Sequence, residues 1–230
     1  MKKLIHRRNI HKSEVIGLIL GLLLLTACGG SSKNKQVGGQ SSGSDDLSNL
    51  LFSDDFSSTS SGWDRISTID GTTNYVDEQY HIQINRPDYD VFANPYRNFN
   101  DVRVEVEATD VGGIAKNNFG IICRCANKDD YYAGLVTSDG NYGIFKIKGG
   151  ASTLLGADTM PTSPVILPAP EMNLIRLDCI GSTLTLYVNG IQLDSRQDTD
   201  FNSGDVGLLA GSYKSAGVEI AFDNFKVYSP

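Results

Sequence analysis

The sequence predicts an all-β chain folded as an antiparallel β-sandwich, a jelly roll of a dozen or more strands. Three observations carry this reading. Between residues 51 and 228, short runs alternate apolar and polar side chains, the period of a strand with one wet face. Gly- and Asn-rich turn signals separate these runs. Heptads and long helical periods are absent, which excludes a coiled coil and leaves no helices to build parallel crossover units.

The chain opens differently. Residues 1–12 are basic, and residues 15–25 form an apolar run. That run is too short to cross ~30 Å of hydrocarbon as a helix and has the size of a signal-peptide core. It ends in Leu25-Thr26-Ala27-Cys28, which resembles the bacterial lipobox. The resemblance implies that residues 1–27 are a signal peptide and that Cys28 becomes a diacylated N-terminus. Two chains are what stable anchoring requires. Gly29, not Asp, follows Cys28. The expected location is extracytoplasmic, anchored by lipid to the cell membrane or outer membrane, where disulfides persist. Residues 29–44 hold ten Gly or Ser in sixteen, too little apolar surface to fold. Residues 28–50 are therefore read as the lipidated Cys and a flexible tether, and residues 51–230 as one domain, expected to be monomeric.

Within that domain Tyr80-His81-Ile82-Gln83-Ile84, Val102-Arg103-Val104-Glu105-Val106-Glu107 and Leu184-Thr185-Leu186-Tyr187-Val188 alternate as strands. So does Leu174-Ile175-Arg176-Leu177-Asp178-Cys179, and residues 206–209, 218–222 and 225–228 supply more. Asp139-Gly140-Asn141, Gly149-Gly150 and Gly181-Ser182 mark turns, and Asn189-Gly190 joins two β-rich runs as a hairpin. Residues 160–171, with four prolines, form a long irregular loop. Trp63, near the domain entrance, is expected as a packed anchor.

The formal net charge is −7. Residues 1–27 carry five of the 20 basic and one of the 27 acidic side chains, so the remainder holds 15 against 26, net −11. That balance argues against nucleic acid as a partner. His81 is the lone His after residue 27, which excludes a multi-histidine metal site.

The ordered motifs resemble the concanavalin A-like lectin and glucanase sandwiches. They run from Phe52-Ser53-Asp54-Asp55-Phe56 and Gly62-Trp63, through Asn118-Phe119-Gly120-Ile121-Ile122-Cys123-Arg124, Asp129-Asp130-Tyr131-Tyr132 and Asp139-Gly140-Asn141-Tyr142-Gly143-Ile144. They close with Val188-Asn189-Gly190, Gly204-Asp205-Val206-Gly207-Leu208 and Phe222-Asp223-Asn224-Phe225. The similarity is to the 3-keto-disaccharide hydrolase-like and laminin-G-like branches, over essentially all of residues 51–228. It implies a domain that binds glycan or another surface ligand. The alternatives it carries are a hydrolase of the 3-keto-disaccharide type and a structural envelope or adhesion module.

Cys28 aside, three cysteines remain. Cys123 and Cys125, two apart in a strand, lie near the ~6.8 Å limit for bridging each other, and Cys179 can meet either. The resembling domains place cysteines in the contexts of Cys123 and Cys179, which implies a Cys123–Cys179 disulfide and leaves Cys125 as a buried thiol. Strand parity then turns Ile121, Cys123 and Cys125 inward, and Ile122 and Arg124 outward.

Parity also buries Val102, Val104 and Val106 and turns Arg103, Glu105 and Glu107 out. Glu105 and Glu107, about 7 Å apart by strand rise, are the candidate catalytic pair, since glycoside hydrolysis needs two carboxylates. The run Glu105-Val106-Glu107-Ala108-Thr109-Asp110 lacks the middle Asp and final Glu of the glucanase pattern, which favours binding over hydrolysis. The hydrolase-like branch implies Glu107 opposite Arg124. An Arg124 pair with Glu105 or Glu107 would offer donors and acceptors to sugar hydroxyls, with Tyr132 and Tyr142 as aromatic partners. Related sandwiches hold a structural calcium, for which Asp55 and Asp223 are the candidates here. No other cofactor is expected.

Overall fold

A computed structural model describes residues 5–7, 49–112 and 116–230. Cys28, the apolar run 15–25 and most of the tether lie outside the described residues.

Among the described residues sixteen strands follow in chain order. They are β1 (Ile5–Arg7), β2 (Leu50–Asp54), β3 (Gly71–Val76), β4 (Gln79–Ile84), β5 (Tyr89–Ala93), β6 (Asn98–Phe99), β7 (Val102–Gly112) and β8 (Asn117–Asn127). Then come β9 (Asp130–Val136), β10 (Tyr142–Lys148), β11 (Ala151–Leu154), β12 (Asn173–Ile180), β13 (Thr183–Val188), β14 (Ile191–Gln197), β15 (Gly204–Ser212) and β16 (Val218–Tyr228). The first sheet runs β1-β5-β15-β8-β9-β10-β11, with β6 beside β15. The second runs β14-β13-β12-β7-β16-β4-β3, with β2 beside β16. Every pairing is antiparallel. This is the predicted sandwich.

One core fills the space between the sheets. Val102, Val104, Val106 and Ala108 of β7 face Ile121, Cys123 and Tyr132 of the other sheet, and Arg103, Glu105 and Glu107 point away, as parity predicts. Each fully buried Val contributes about 1.5–3 kcal/mol. Among the described residues, every buried member of this core lies between Phe56 and Val227. Trp63 is 4% exposed. It packs on Phe56, Tyr80 and Phe225 and donates its indole N–H to Asp54 Oδ2 at 2.9 Å, as an anchor should.

Turns follow the sequence in part. Asn189 and Gly190 both take positive φ and make the tight β13–β14 hairpin. The β3–β4 hairpin uses Asp77 and Glu78 in the same left-handed pair, with no Gly to announce it. The proline-rich loop carries no strand, and it is held by Asn173, which exchanges two hydrogen bonds with the backbone of Leu167.

The sheets are tied by the Cys123–Cys179 disulfide, which joins β8 to β12. Cys125 is a buried thiol, but it does not share a face with Cys123. Arg124 takes a left-handed φ of 51°. The β8 register slips against β9 beyond Cys123, and against β15 between Asp205 and Gly207. The extra residue makes a bulge, inverts the parity and puts Cys125 on the outward side. Gly204 makes room for it, since a Cβ there would stand 2.5 Å from the Arg124 carbonyl carbon.

Candidate functional site

The candidates named from the sequence do not converge. Glu105 and Glu107 stand on the outward face of β7, whose neighbours are β12 and β16. Arg124 stands on β8 in the other sheet, so the expected Arg124–glutamate pair does not form. Arg124 is 2% exposed. It donates from Nη1 to the Phe201 carbonyl at 3.0 Å and from Nη2 to Asp101 Oδ1 at 2.9 Å. It holds the loop before β7 to the loop before β15, an anchoring role instead of a ligand contact. Glu107 accepts the Asn224 side-chain amide at 3.0 Å. Glu105 lies 3.9 Å from Arg176, whose guanidinium grips Asp178 at 2.6 and 2.7 Å and stacks on Tyr187. The two glutamates thus belong to a charged ladder on the wet face of the second sheet.

Tyr132 is turned into the core, fully buried, instead of facing a ligand. Its hydroxyl donates to Asp198 Oδ1 at 2.5 Å and accepts the Phe201 amide at 3.1 Å. Asp198 and Asp200 also hold Lys146, at 2.5 and 2.8 Å. Burial opposes the Asp198 charge, but the bonds from Lys146 and Tyr132 win and keep its carboxyl below the usual range. Tyr142 packs against the core edge, partly buried. Tyr131, its neighbour's opposite in parity, faces outward beside Phe92.

Asp55 is bound by the amide and hydroxyl of its own Ser57. Asp223 accepts the Asn224 amide. Lys226 lines the same hollow as Asp55, and among the described residues no group of three or more His, Cys, Asp or Glu is placed to hold a metal.

The chemistry gathers elsewhere, in a cleft of about 810 Å³ at one end of the first sheet. It lies where the strand ends of β5, β8 and β15 meet the 94–98 loop and the β8–β9 turn. Asp64, Tyr96, Arg97, Asn98, Asn127 and Asp205 are among its lining residues, with Phe92 and Cys125 among them too. Tyr96 is 70% exposed yet fixed, because its hydroxyl donates to Asp64 Oδ1. That bond, then burial, pushes the Tyr96 phenol up to about 12. Asp64 also accepts the Asn94 amide at 3.2 Å. Asp205 Oδ1 accepts the amides of Arg97 and Val206, at 2.8 and 2.9 Å. Burial nonetheless raises its carboxyl to about 6, with Asp64 adding to the rise. Burial pushes the Cys125 thiol up to about 12, so it is an inert wall group. A rigid aromatic face ringed by amides, carboxylates and a guanidinium suits a polyhydroxylated ring.

Sequence reading missed this site. Asp205 sits in Gly204-Asp205-Val206-Gly207, read only as a fold motif. Tyr96 follows Pro95 in a short irregular loop, where an exposed aromatic is the one available signal.

Asp205 gives a pH prediction. Its folded value lies above that of an unfolded carboxylate. Between the two the native state holds more protons, so the stability from its protonated form is lost as pH rises through about 6. Asp205→Asn is expected to gain thermal stability over wild type on going from about pH 4.5 to about pH 7.5. Parallel melting curves at the two pH values check this, and an unchanged difference would refute it.

No family model and no curated relative matches this sequence. Solved structures do match. A carbohydrate-binding module, CBM66, from Bacillus subtilis superposes with TM-score 0.59 at 18% identity, covering 73% of this chain and 96% of that one. A Bacillus subtilis protein with a galectin-like fold gives TM-score 0.60 at 13% identity, over 79% and 96%. Bacillus licheniformis β-glucanase gives 0.57 at 10%, over 78% and 97%. The fold is that of the concanavalin A-like lectins and glucanases, a scaffold of carbohydrate-binding and glycosidase proteins. At these identities the likeness is one of fold, and fold alone does not give function.

Proposed function

We propose that this chain is a lipid-anchored, extracytoplasmic module that binds glycan in the cleft at the Asp205 end of the first sheet. One observation carries the reading: an exposed tyrosine, Tyr96, locked by Asp64 within a cleft of hydrogen-bonding groups. Tyrosine buries a large area at low entropic cost, and its face suits the C–H side of a sugar ring. The fold shared with CBM66 supports the same class of ligand. Binding is favoured over hydrolysis because Glu105 and Glu107 lie on the opposite sheet, engaged by Arg176 and Asn224. The anchor rests on the lipobox register at Cys28.

A glycan array probed with residues 45–230 tests the ligand class. Tyr96→Ala is expected to weaken any hit at least about tenfold, one aromatic contact of about 1.4 kcal/mol, while leaving the melting temperature near wild type. A silent array overturns the reading. Turnover of a hit that Glu107→Gln abolishes would establish the hydrolase instead. For the anchor, Cys28→Ser is expected to move the protein out of the detergent phase, and equal partitioning of the two forms would reject lipidation.

A further inference from the structure

We infer that the anchored domain rests one rim of its second sheet on the bilayer that holds the Cys28 lipid, with five apolar loop residues dipping into the headgroup boundary. This rests on the reading of Cys28 as a lipidated anchor. Among the described residues eight large apolar side chains are exposed. Such residues scattered singly are ordinary. Here five of the eight, Ile69, Val111, Leu167, Met172 and Ile191, stand 40–90% exposed at the same end of the second sheet. Register places them there. Gly71, opening β3, pairs with Ile84, and so does Val218, opening β16. Glu219 pairs with Gly112, next to Val111. Asn173, next to Met172, pairs with Ala108, and its side chain holds Leu167. Ile175 pairs with Val188, and Val188 with Ile191. Ile69 tips the turn before β3, closed by hydrogen bonds between Thr68 and Gly71. From Ile191 on β14 to Ile69 beside β3 the row crosses seven strands, about 29 Å at sheet spacing.

The tips come from four different connections, so they form a line of separate points. That suits a soft, laterally continuous apolar phase better than a small ligand, which needs a concave site. Charges beside the row are paired: Asp70 lies 3.6 Å from Arg86, Lys116 3.0 Å from Asp139 and Glu219 2.8 Å from His81. Apolar area therefore carries the contact, instead of attraction to anionic headgroups.

The anchor supplies the bilayer. A few half-exposed side chains bind weakly by themselves, but a tethered site meets its target at high effective concentration. The tether is long enough for this. It joins β2 at Leu50, across from Tyr228 at the far end of β16. From Tyr228 back to Val218 the strand rise gives about 33 Å. Residues 28–49 are 22, and a coil of that length has an r.m.s. span of about 25 Å and an extended reach of about 70–80 Å. The cleft lies at the tether end of the sandwich, since Asp101, just before β7, bonds both Arg124 and Gly181. Resting on the opposite rim turns the cleft away from the membrane, toward solvent.

The test uses the protein purified with its lipid and reconstituted into phosphatidylcholine vesicles whose acyl chains are brominated. Ile69→Trp and Ile191→Trp each add a tryptophan at one corner of the row, and Tyr96→Trp adds one at the opposite rim. Trp63, 4% exposed, is the common background. Emission of the added tryptophan is expected to fall at least about twofold at both corners, as for a side chain about 5–10 Å into the headgroup boundary, and to hold steady at residue 96. Val111→Ser with Met172→Ser, added to Ile191→Trp, is expected to restore its emission, and raised salt to leave the quenching unchanged. Unquenched corners on protein that floats with the vesicles would overturn the docking and leave the anchor standing. Quenching at residue 96 equal to that at the corners, or corner quenching abolished by salt, overturns the docking as well. Wild type that fails to float with the vesicles, as Cys28→Ser is expected to, overturns anchor and docking together.

Discussion

Replacing Cys123 and Cys179 together by alanine is expected to lower the unfolding free energy by about 4 kcal/mol. The bridge closes a loop of 56 residues, and chain-entropy theory assigns a loop of that size about this much. For a domain of this length the loss corresponds to a fall in melting temperature of roughly 8–16 °C. The bond also joins β8 of one sheet to β12 of the other, so its loss removes the covalent tie across the core. Melting the double variant, and the wild type with and without reductant, checks this. A loss under about 1 kcal/mol would mean that the denatured chain gains almost no freedom when the bridge is absent. Cys125→Ala is the control. It sits outside the bridge and is expected to cost only the packing of one thiol, about 1 kcal/mol or less.

Arg124→Ala is expected to cost about 3 kcal/mol or more. The substitution strips the Phe201 carbonyl and Asp101 of their donor and leaves a void where a long buried side chain lay. Sequence parity pointed the other way, to an outward-facing arginine offered to sugar hydroxyls. Arg124→Gly separates the bulge from the contacts. Both variants lose the guanidinium, but glycine tolerates the left-handed backbone at 51°, so it is expected to be more stable than the alanine variant by about 1 kcal/mol. Chemical denaturation of the pair measures the difference. If glycine is the less stable of the two, the left-handed conformation is not what shapes this stretch of β8.

The sandwich was legible because its determinants are local. Period-two burial along Val102–Glu107, the Asn189-Gly190 hairpin and the prolines of residues 160–171 each follow from the preferences of a few adjacent residues, and all appear in place. The core role of Trp63 was legible for a similar reason, since a large aromatic at a domain entrance is worth most when buried. The cleft was not. Asp64, Tyr96 and Asp205 are far apart in sequence and have no shared period; they meet because the β15 pairing with β5 and β6 carries Asp205 to the 94–98 loop.

Two decisions belonged to the tertiary structure alone. One is which sheet a strand joins. Nothing in Val102–Glu107 or Asn118–Arg124 says that β7 pairs with β12 and β16 while β8 pairs with β9 and β15, and that choice separates Arg124 from Glu105 and Glu107. The other is the bulge at Arg124. Alternation is a rule of phase, and one extra residue shifts the phase of everything after it. The sequence by itself determined the period of each strand and the residues able to fill a core. Pairing between distant strands determined where that period restarts, and so which side of the sheet Cys125 faces and where the cleft opens.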